Sequence, residues 1–244
     1  MLTGGPAGIP AGGACAFPLP NDASTASRAR GLLAATMRPL GFAADQVEDG
    51  ELAVSELATN AHTYASWPGR ADTVQQELWI WARTVPIPEL VVSVFDSHRD
   101  TWPVTRDTDL LDEHGKGLSI VAAVSTSTGT HLTRSRLTAA PGKCVWFTLP
   151  LPTTWQIADR AIPPIFAACQ LSDALKARGI PTTYRRDGSG ATVLSTRTLN
   201  IWVAPTAFTW PDNHGHIRQP LIDLQETAER ITSHYETHPS APRA

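Results

Sequence analysis

One stretch of the chain, residues 46–65, constrains the fold most, because its apolar residues recur at the spacing of an amphipathic α-helix. Asp45 precedes this stretch and can cap the helix, and Glu48 follows three residues later, as in a capping box. The pattern predicts a long helix with one face in a hydrophobic core. The apolar positions are Val47, Val54, Leu57, Ala58 and Ala61.

Two polar residues of this helix, Glu56 and Asn60, are four positions apart and therefore share one face. A carboxylate can orient or deprotonate a water or hydroxyl group. An amide oxygen can ligate a hard cation such as Mg²⁺. The pair also fits an ordinary solvated helix, so its interpretation depends on the rest of the chain.

The composition of the chain limits the kinds of binding partner and the cellular compartment that we expect. The 244 residues carry a formal net charge of −3, which gives no reason to expect nucleic acid or an anionic membrane as a partner. The three cysteines lie far apart, without a Cys-x-x-Cys pair, so neither a zinc ribbon nor a disulfide framework is predicted. No apolar run is long enough to span a bilayer, and a reducing cytoplasm fits best.

The distribution of proline and glycine suggests three segments. Residues 1–15 are rich in Gly, Ala and Pro and lack the features of a signal peptide, so we expect a disordered lead-in. Residues 16–152 carry the motifs, and Pro150 and Pro152 mark the end of this unit. Residues 153–244 are expected to form a small appended module of order α-β-β-β-α.

A hairpin is predicted from two runs, residues 74–83 and 90–95, that alternate in polarity or are continuously apolar. Trp79 and Trp81 fall on one face of the first strand, and we expect them to cover a core edge or a partner surface. The second strand delivers Asp96 at its end. An aspartate there is either a turn residue or a buried acceptor for the amine of a ligand.

A glycine-containing turn, His114 to Leu118, precedes a short apolar helix. The start of such a helix exposes backbone N–H groups and the positive end of the helix dipole, which favours an anion. Gly115 and Gly117 would let a phosphate approach the backbone closely, although a plain turn fits the same residues. Lys116 fits a phosphate contact and a solvated side chain equally well.

Taken in order, these features resemble the ATP-binding domain of the gyrase, Hsp90, histidine-kinase and MutL superfamily. The bacterial anti-sigma-factor serine kinases are the most similar branch. The resemblance covers about residues 17–152, and its most specific part is Glu51 to His62, which is similar to the N-box of that branch. It implies an α+β fold, a two-layer α/β sandwich of the Bergerat or histidine-kinase-like ATPase type with a mostly antiparallel sheet.

The resemblance also implies roles for individual residues, with ATP and Mg²⁺ as cofactors. Asn60 would ligate the Mg²⁺, Glu56 would be the general base, and Asp96 would accept a hydrogen bond from adenine. Residues 97–114 would form the lid over the nucleotide. Cys144 stands where many members have a threonine near adenine. The phosphate contacts would come from Gly115, Lys116, Gly117 and Leu118.

The chain departs from the family in one box, because Asp96 to Asp100 lacks the two glycines of Asp-x-Gly-x-Gly. Two hypotheses therefore remain. In the first, the chain is a protein serine/threonine kinase that phosphorylates or docks to an anti-anti-sigma (STAS-like) protein, binds a sigma factor and regulates transcription. In the second, it is a non-catalytic nucleotide-binding or docking module with a degenerate ATP site. Homodimerisation is left open by both.

Two further interpretations are disfavoured. A sensor histidine kinase would need a helical hairpin before the N-box, and only one helix is predicted there. The pair His214 and His216 has no third ligand nearby in sequence, so a plain loop is expected rather than a metal site.

Overall fold

The structure is a computed structural model, which describes residues 4–65, 74–100, 102, 116–156, 162–186, 192–212 and 215–238. The helices within these residues are α1 (Thr25–Met37), α2 (Ala44–Ala65), α3 (Lys116–Val124), α4 (Pro164–Lys176) and α5 (Leu224–Thr237). The strands of the first sheet are β1 (Ala14–Pro18), β2 (Glu77–Arg83), β3 (Glu89–Asp96), β4 (Ser127–Arg134) and β5 (Pro141–Pro150). Those of the second sheet are β6 (Thr183–Arg186), β7 (Thr192–Ser195), β8 (Asn200–Val203), β9 (Ala207–Asp212) and β10 (Gly215–Pro220).

The first sheet has the strand order β1-β2-β3-β5-β4, and each described pair is antiparallel. Helices α1 and α2 pack on one face and bury their apolar stripes against Leu78, Ile80 and Val92. This is the α+β sandwich that was predicted, and it follows from period-2 alternation in the strands and helical periodicity in α2. None of the helices in the described parts of the chain combines the length and apolarity needed to cross a membrane.

The first described residues are ordered, so the expectation of a disordered lead-in does not hold for residues 4–15. A 3₁₀-helix at Pro6–Ala11 buries Ile9, which is 1% exposed, in the core under the sheet. The Gly4 amide donates to the Ala14 carbonyl at 3.1 Å. The prolines and glycines that suggested disorder instead begin and end this helix, and Gly12 closes it with a left-handed φ of 81°.

The C-terminal part forms a second antiparallel sheet of order β10-β9-β8-β7-β6, packed on α4 and α5. The predicted order α-β-β-β-α missed β9 and β10. Pro211 lies in β9, and the Gly215–His216 pair begins β10, so both strands carry residues that usually indicate loops. His216 is in a strand rather than in the expected loop, and His214 lies outside the described residues.

The outer face of the first sheet, opposite α1 and α2, is covered by α5. Trp79 and Trp81, which were expected at a core edge or a partner surface, lie on this face at 0% and 1% exposure, inside a hydrophobic cluster of the chain itself. The Trp81 indole donates to Glu226 at 3.1 Å, and the Thr84 amide donates to Asp223 at 2.9 Å. The C-terminal part is therefore joined to the first sheet by buried polar contacts as well as by apolar ones.

Candidate functional site

Helix α2 holds Glu56 and Asn60 at the edge of its buried stripe. The five apolar residues of the stripe are each at most 4% exposed, which fixes the rotation of the helix on the sheet. Glu56 and Asn60 are half-buried, with their side chains at the boundary between the core and solvent. The helical spacing thus places both polar groups on one face of the helix, at the accessible margin of the core.

Strand β3 ends at Asp96, whose side chain faces α2 because it lies on the same strand face as Val94. Asp96 is 3% exposed. Asn60, Asp96 and Leu118 line one small hollow between α2, the sheet and the start of α3. The structure therefore brings together three of the residues that the sequence assigned to one site. The other residues lining the hollow are Leu57, Ala61, Val94, Lys143 and Val145.

Glu56 lies against the start of α3. A methyl group placed on Gly117 would be 2.5 Å from the Glu56 Oε2 atom, so the missing side chain lets this carboxylate lie directly against the backbone of α3. The general-base candidate is thus adjacent to the turn assigned to the phosphates. Lys116 is the first residue of α3, whereas Gly115 lies outside the described residues, as does most of the lid predicted at residues 97–114.

Lys143, which was not among the site residues predicted from the sequence, forms an ion pair with Asp96. The ammonium group of Lys143 lies 2.6 and 2.7 Å from the two carboxylate oxygens of Asp96 and 2.6 Å from the carbonyl of His98. These three acceptors use all three ammonium protons. The His98 amide also donates to Asp96, at 2.8 Å.

Lys143 is 1% exposed, and the hollow beside it has a volume of about 10 Å³. The strand register explains the pairing, since Lys143 on β5 stands directly opposite Asp96 on β3. The acceptor that was predicted for a ligand amine is therefore engaged by a cation of the protein itself.

The sequence model of the histidine kinase-like ATPase domain matches residues 19–149. The chain belongs to this family. The matched range runs from α1 to β5 and contains every residue of the site described above. Among curated proteins, no sequence matches this chain.

Within the ATPase domain, the assignment of Cys144 to the adenine site is wrong. Its side chain lies on the outer face of the sheet, where Sγ is 3.2 Å from the Nε2 atom of His131. Successive residues of a strand face opposite sides, so Lys143 and Val145 line the hollow and Cys144 does not. Because residues two apart on a strand share one face, the apolar Val145 indicates from the sequence that Lys143 also faces the hollow.

The residues fit the two halves of an Mg²⁺–ATP complex unequally. The half that binds phosphate and metal is suitable, because Asn60 offers an amide oxygen and Glu56 lies beside Gly117, the second residue of α3. For adenine, Val94 and Val145 supply an apolar wall. Asp96, however, is held by Lys143, so the base fits only after the Lys143 ammonium leaves that carboxylate.

Proposed function

We propose that the chain is a regulatory protein of the anti-sigma-factor serine kinase type, which binds ATP with Mg²⁺ and acts on an anti-anti-sigma protein or a sigma factor. The observation that supports this most is the convergence of Asn60, Asp96 and Leu118 on one hollow, in a histidine kinase-like ATPase domain. These residues come from three separate elements, and a solvated helix with a chance Glu and Asn would not align them.

Each residue has a distinct task in this proposal. Asn60 holds the metal through its amide oxygen, Asp96 reads the exocyclic amine of adenine, and the start of α3 receives the phosphates. Glu56 accepts the proton of a serine hydroxyl on the partner protein. When bound, Mg²⁺ neutralises the charge that develops on the transferred phosphoryl group.

A second function, a docking module that works without nucleotide, is favoured by the Asp96–Lys143 ion pair. Breaking such a buried pair by removing one partner costs about 3–5 kcal/mol, and the hollow beside the pair has a volume of about 10 Å³. In this alternative the Lys143 ammonium permanently takes the place of the adenine amine at Asp96. The partner protein then recognises the outer surface of the domain.

Calorimetric titration with Mg–ADP separates the two functions. The first predicts that the full chain binds Mg–ADP, and that Asp96→Asn weakens binding at least tenfold. Asp173→Asn is the matched control, because Asp173 is exposed on α4 and lies outside both the hollow and the predicted lid. Thermal unfolding of each variant shows whether it is folded. Absence of binding by the wild-type chain at millimolar Mg–ADP selects the second function.

Phosphotransfer requires its own test. The chain is incubated with labelled ATP and with any anti-anti-sigma protein that a neighbouring gene encodes. Glu56→Gln should abolish transfer and retain Mg–ADP binding, because it removes the base and preserves the shape of the side chain. Transfer that persists in Glu56→Gln would rule out Glu56 as the base, and absence of transfer by the wild-type chain would leave a binding protein without kinase activity.

A further inference from the structure

A cavity of about 370 Å³ lies between the outer face of the first sheet and the C-terminal module. It is on the opposite side of the sheet from the hollow at Asp96. Its walls combine Trp81 and Trp146 of the sheet with Trp210 of β9, and His131 and Glu229 face into it. The proposed function makes no use of this cavity.

Three potential metal ligands meet beside the cavity: His131 and Glu229 line it, and Cys144 lies behind them in contact with His131. His131 on β4 stands opposite Cys144 on β5 in the strand register, and α5 places Glu229 over both. The His131 Nε2 atom is 3.2 Å from the Cys144 sulfur and 3.1 Å from the Glu229 Oε1 atom. The three ligand atoms lie within 4.8 Å of one another.

We propose that these three side chains bind one Zn²⁺ ion, with the fourth coordination position directed into the cavity. A nitrogen, a thiolate and a carboxylate suit Zn²⁺, which is borderline-soft and accepts all three ligand types. Tetrahedral coordination requires about 3.3 Å between nitrogen and oxygen and about 3.5 Å between nitrogen and sulfur. The observed 3.1 and 3.2 Å need only a small separation of the side chains.

The surroundings of Glu229 hold it in a ligating orientation. Arg178 and Arg136 donate to its Oε2 atom at 2.6 and 3.3 Å, and Thr133 donates to Oε1 at 2.5 Å. Outer partners of this kind orient the carboxylates of metal sites. Because Oε2 is engaged by the arginines, Oε1 is the atom that faces His131 and the proposed ion.

The open position faces a cavity lined by charges of both signs. Arg83 and Arg230 line it together with Glu226 and Asp212. Arg136 and Arg178 pair with Glu229 beside the proposed ion. A water, a hydroxide or a small molecule with an oxygen or nitrogen donor can therefore complete the coordination, and the tryptophans would cover the apolar part of such a molecule.

The proton balance of binding is simple. The zinc–sulfur bond forms as the S–H bond of Cys144 breaks, and the proton leaves to solvent through the cavity. His131 ligates through Nε2 and keeps its ring proton on Nδ1. Because His131 and Cys144 belong to the ATPase domain and Glu229 to the C-terminal module, the ion would join the two parts of the chain.

The test uses the full chain, stripped of metal by a chelator and titrated with Co²⁺ and then with Zn²⁺ in excess Mg²⁺. One equivalent of Co²⁺ should bind and give the near-ultraviolet charge-transfer absorption of a thiolate ligand. Cys144→Ser should remove this absorption and weaken Zn²⁺ binding by at least about 100-fold, more than the loss of an outer-shell partner. Cys169→Ser is the matched control, since Cys169 lies outside the cluster.

Two further variants keep the outcome decisive. Glu229 is not substituted, because its loss would leave two buried arginines without their partner. If circular dichroism shows that Cys144→Ser does not fold, His131→Asn is used in its place. Asn60→Ala should retain the Zn²⁺ site, which separates it from the proposed Mg²⁺ site. Unchanged Zn²⁺ affinity in a folded Cys144→Ser variant, or a Co²⁺ spectrum without thiolate absorption, would overturn the proposal.

Discussion

At the scale of single residues, Lys143 decides whether Asp96 can read adenine. Lys143→Thr should tighten Mg–ADP binding at least tenfold, because it frees the Asp96 carboxylate and enlarges the hollow. The same change should lower the free energy of unfolding by about 3–5 kcal/mol, since it leaves a buried charge without its partner. Calorimetry and denaturant unfolding measure the two effects.

Lys176→Thr serves as the control for that change, because Lys176 is exposed and far along the chain in α4. It should alter neither Mg–ADP affinity nor stability by a comparable amount. If Lys143→Thr loses stability without gaining affinity, the ion pair is purely structural and the docking function is favoured.

Cys15 and Cys169 should differ in reactivity towards a thiol reagent. Burial raises the pKa of Cys15 to about 11, and this residue is 0% exposed. Cys15 should therefore react only after unfolding at neutral pH, whereas the half-buried Cys169 should react in the native protein. Cys169→Ser should remove the fast phase of labelling, and a fast phase that survives this substitution would contradict the described burial.

The sequence predicts some site residues and misplaces one. Glu56, Asn60 and Asp96 follow from a helical repeat and from the end of an apolar strand, which are local signals. The error at Cys144 arises because a shift of one residue in a strand moves a side chain to the other face. The Asp96–Lys143 pair depends on the register between β3 and β5, which no local pattern specifies.

At the scale of elements, two helical glycines should respond oppositely to substitution by alanine. Gly31 in α1 is exposed, and an added methyl group would meet nothing within 4 Å, so Gly31→Ala should stabilise the protein by about 0.8–1 kcal/mol. Gly50 in α2 is buried, and the added methyl group would lie 3.0 Å from the Met37 sulfur and 3.2 Å from Leu149.

Gly50→Ala should therefore destabilise the protein, by about 1–3 kcal/mol for overpacking, despite the same gain in helix propensity. Denaturant unfolding of the two variants compares them directly. Equal stabilisation by both substitutions would show that α1 and α2 are not packed against each other as closely as the structure describes.

The elements that could be predicted are those with strong periodicity. Helix α2 and the β2–β3 hairpin have long regular patterns. Strands β9 and β10 have no such pattern, because Pro211 stands within one short run and Gly215 at the start of the other. The pairing of the two strands with each other overrides this weak local preference. Likewise, Ile9 alone could not reveal that the segment 4–15 packs against the core.

At the scale of the whole molecule, the C-terminal module covers a sheet face that would otherwise be exposed and apolar. A chain truncated after Pro152 should bind a hydrophobic dye and unfold at a lower temperature, because Trp79, Trp81 and Phe95 lose their cover. The control is the full-length Trp202→Ala variant, which removes one aromatic residue that is exposed on β8 and does not cover the sheet face. A monomeric truncated chain with unchanged melting temperature would contradict this account.

If the hollow between α2, the sheet and α3 is a nucleotide site, a crystal structure of the full chain grown with Mg–ADP will show the nucleotide there. We predict nucleotide density between Asp96 and Gly117, with the Lys143 ammonium displaced from Asp96 and the metal at Asn60. An intact Asp96–Lys143 pair at saturating Mg–ADP, or nucleotide bound in the cavity under α5 instead, would contradict it.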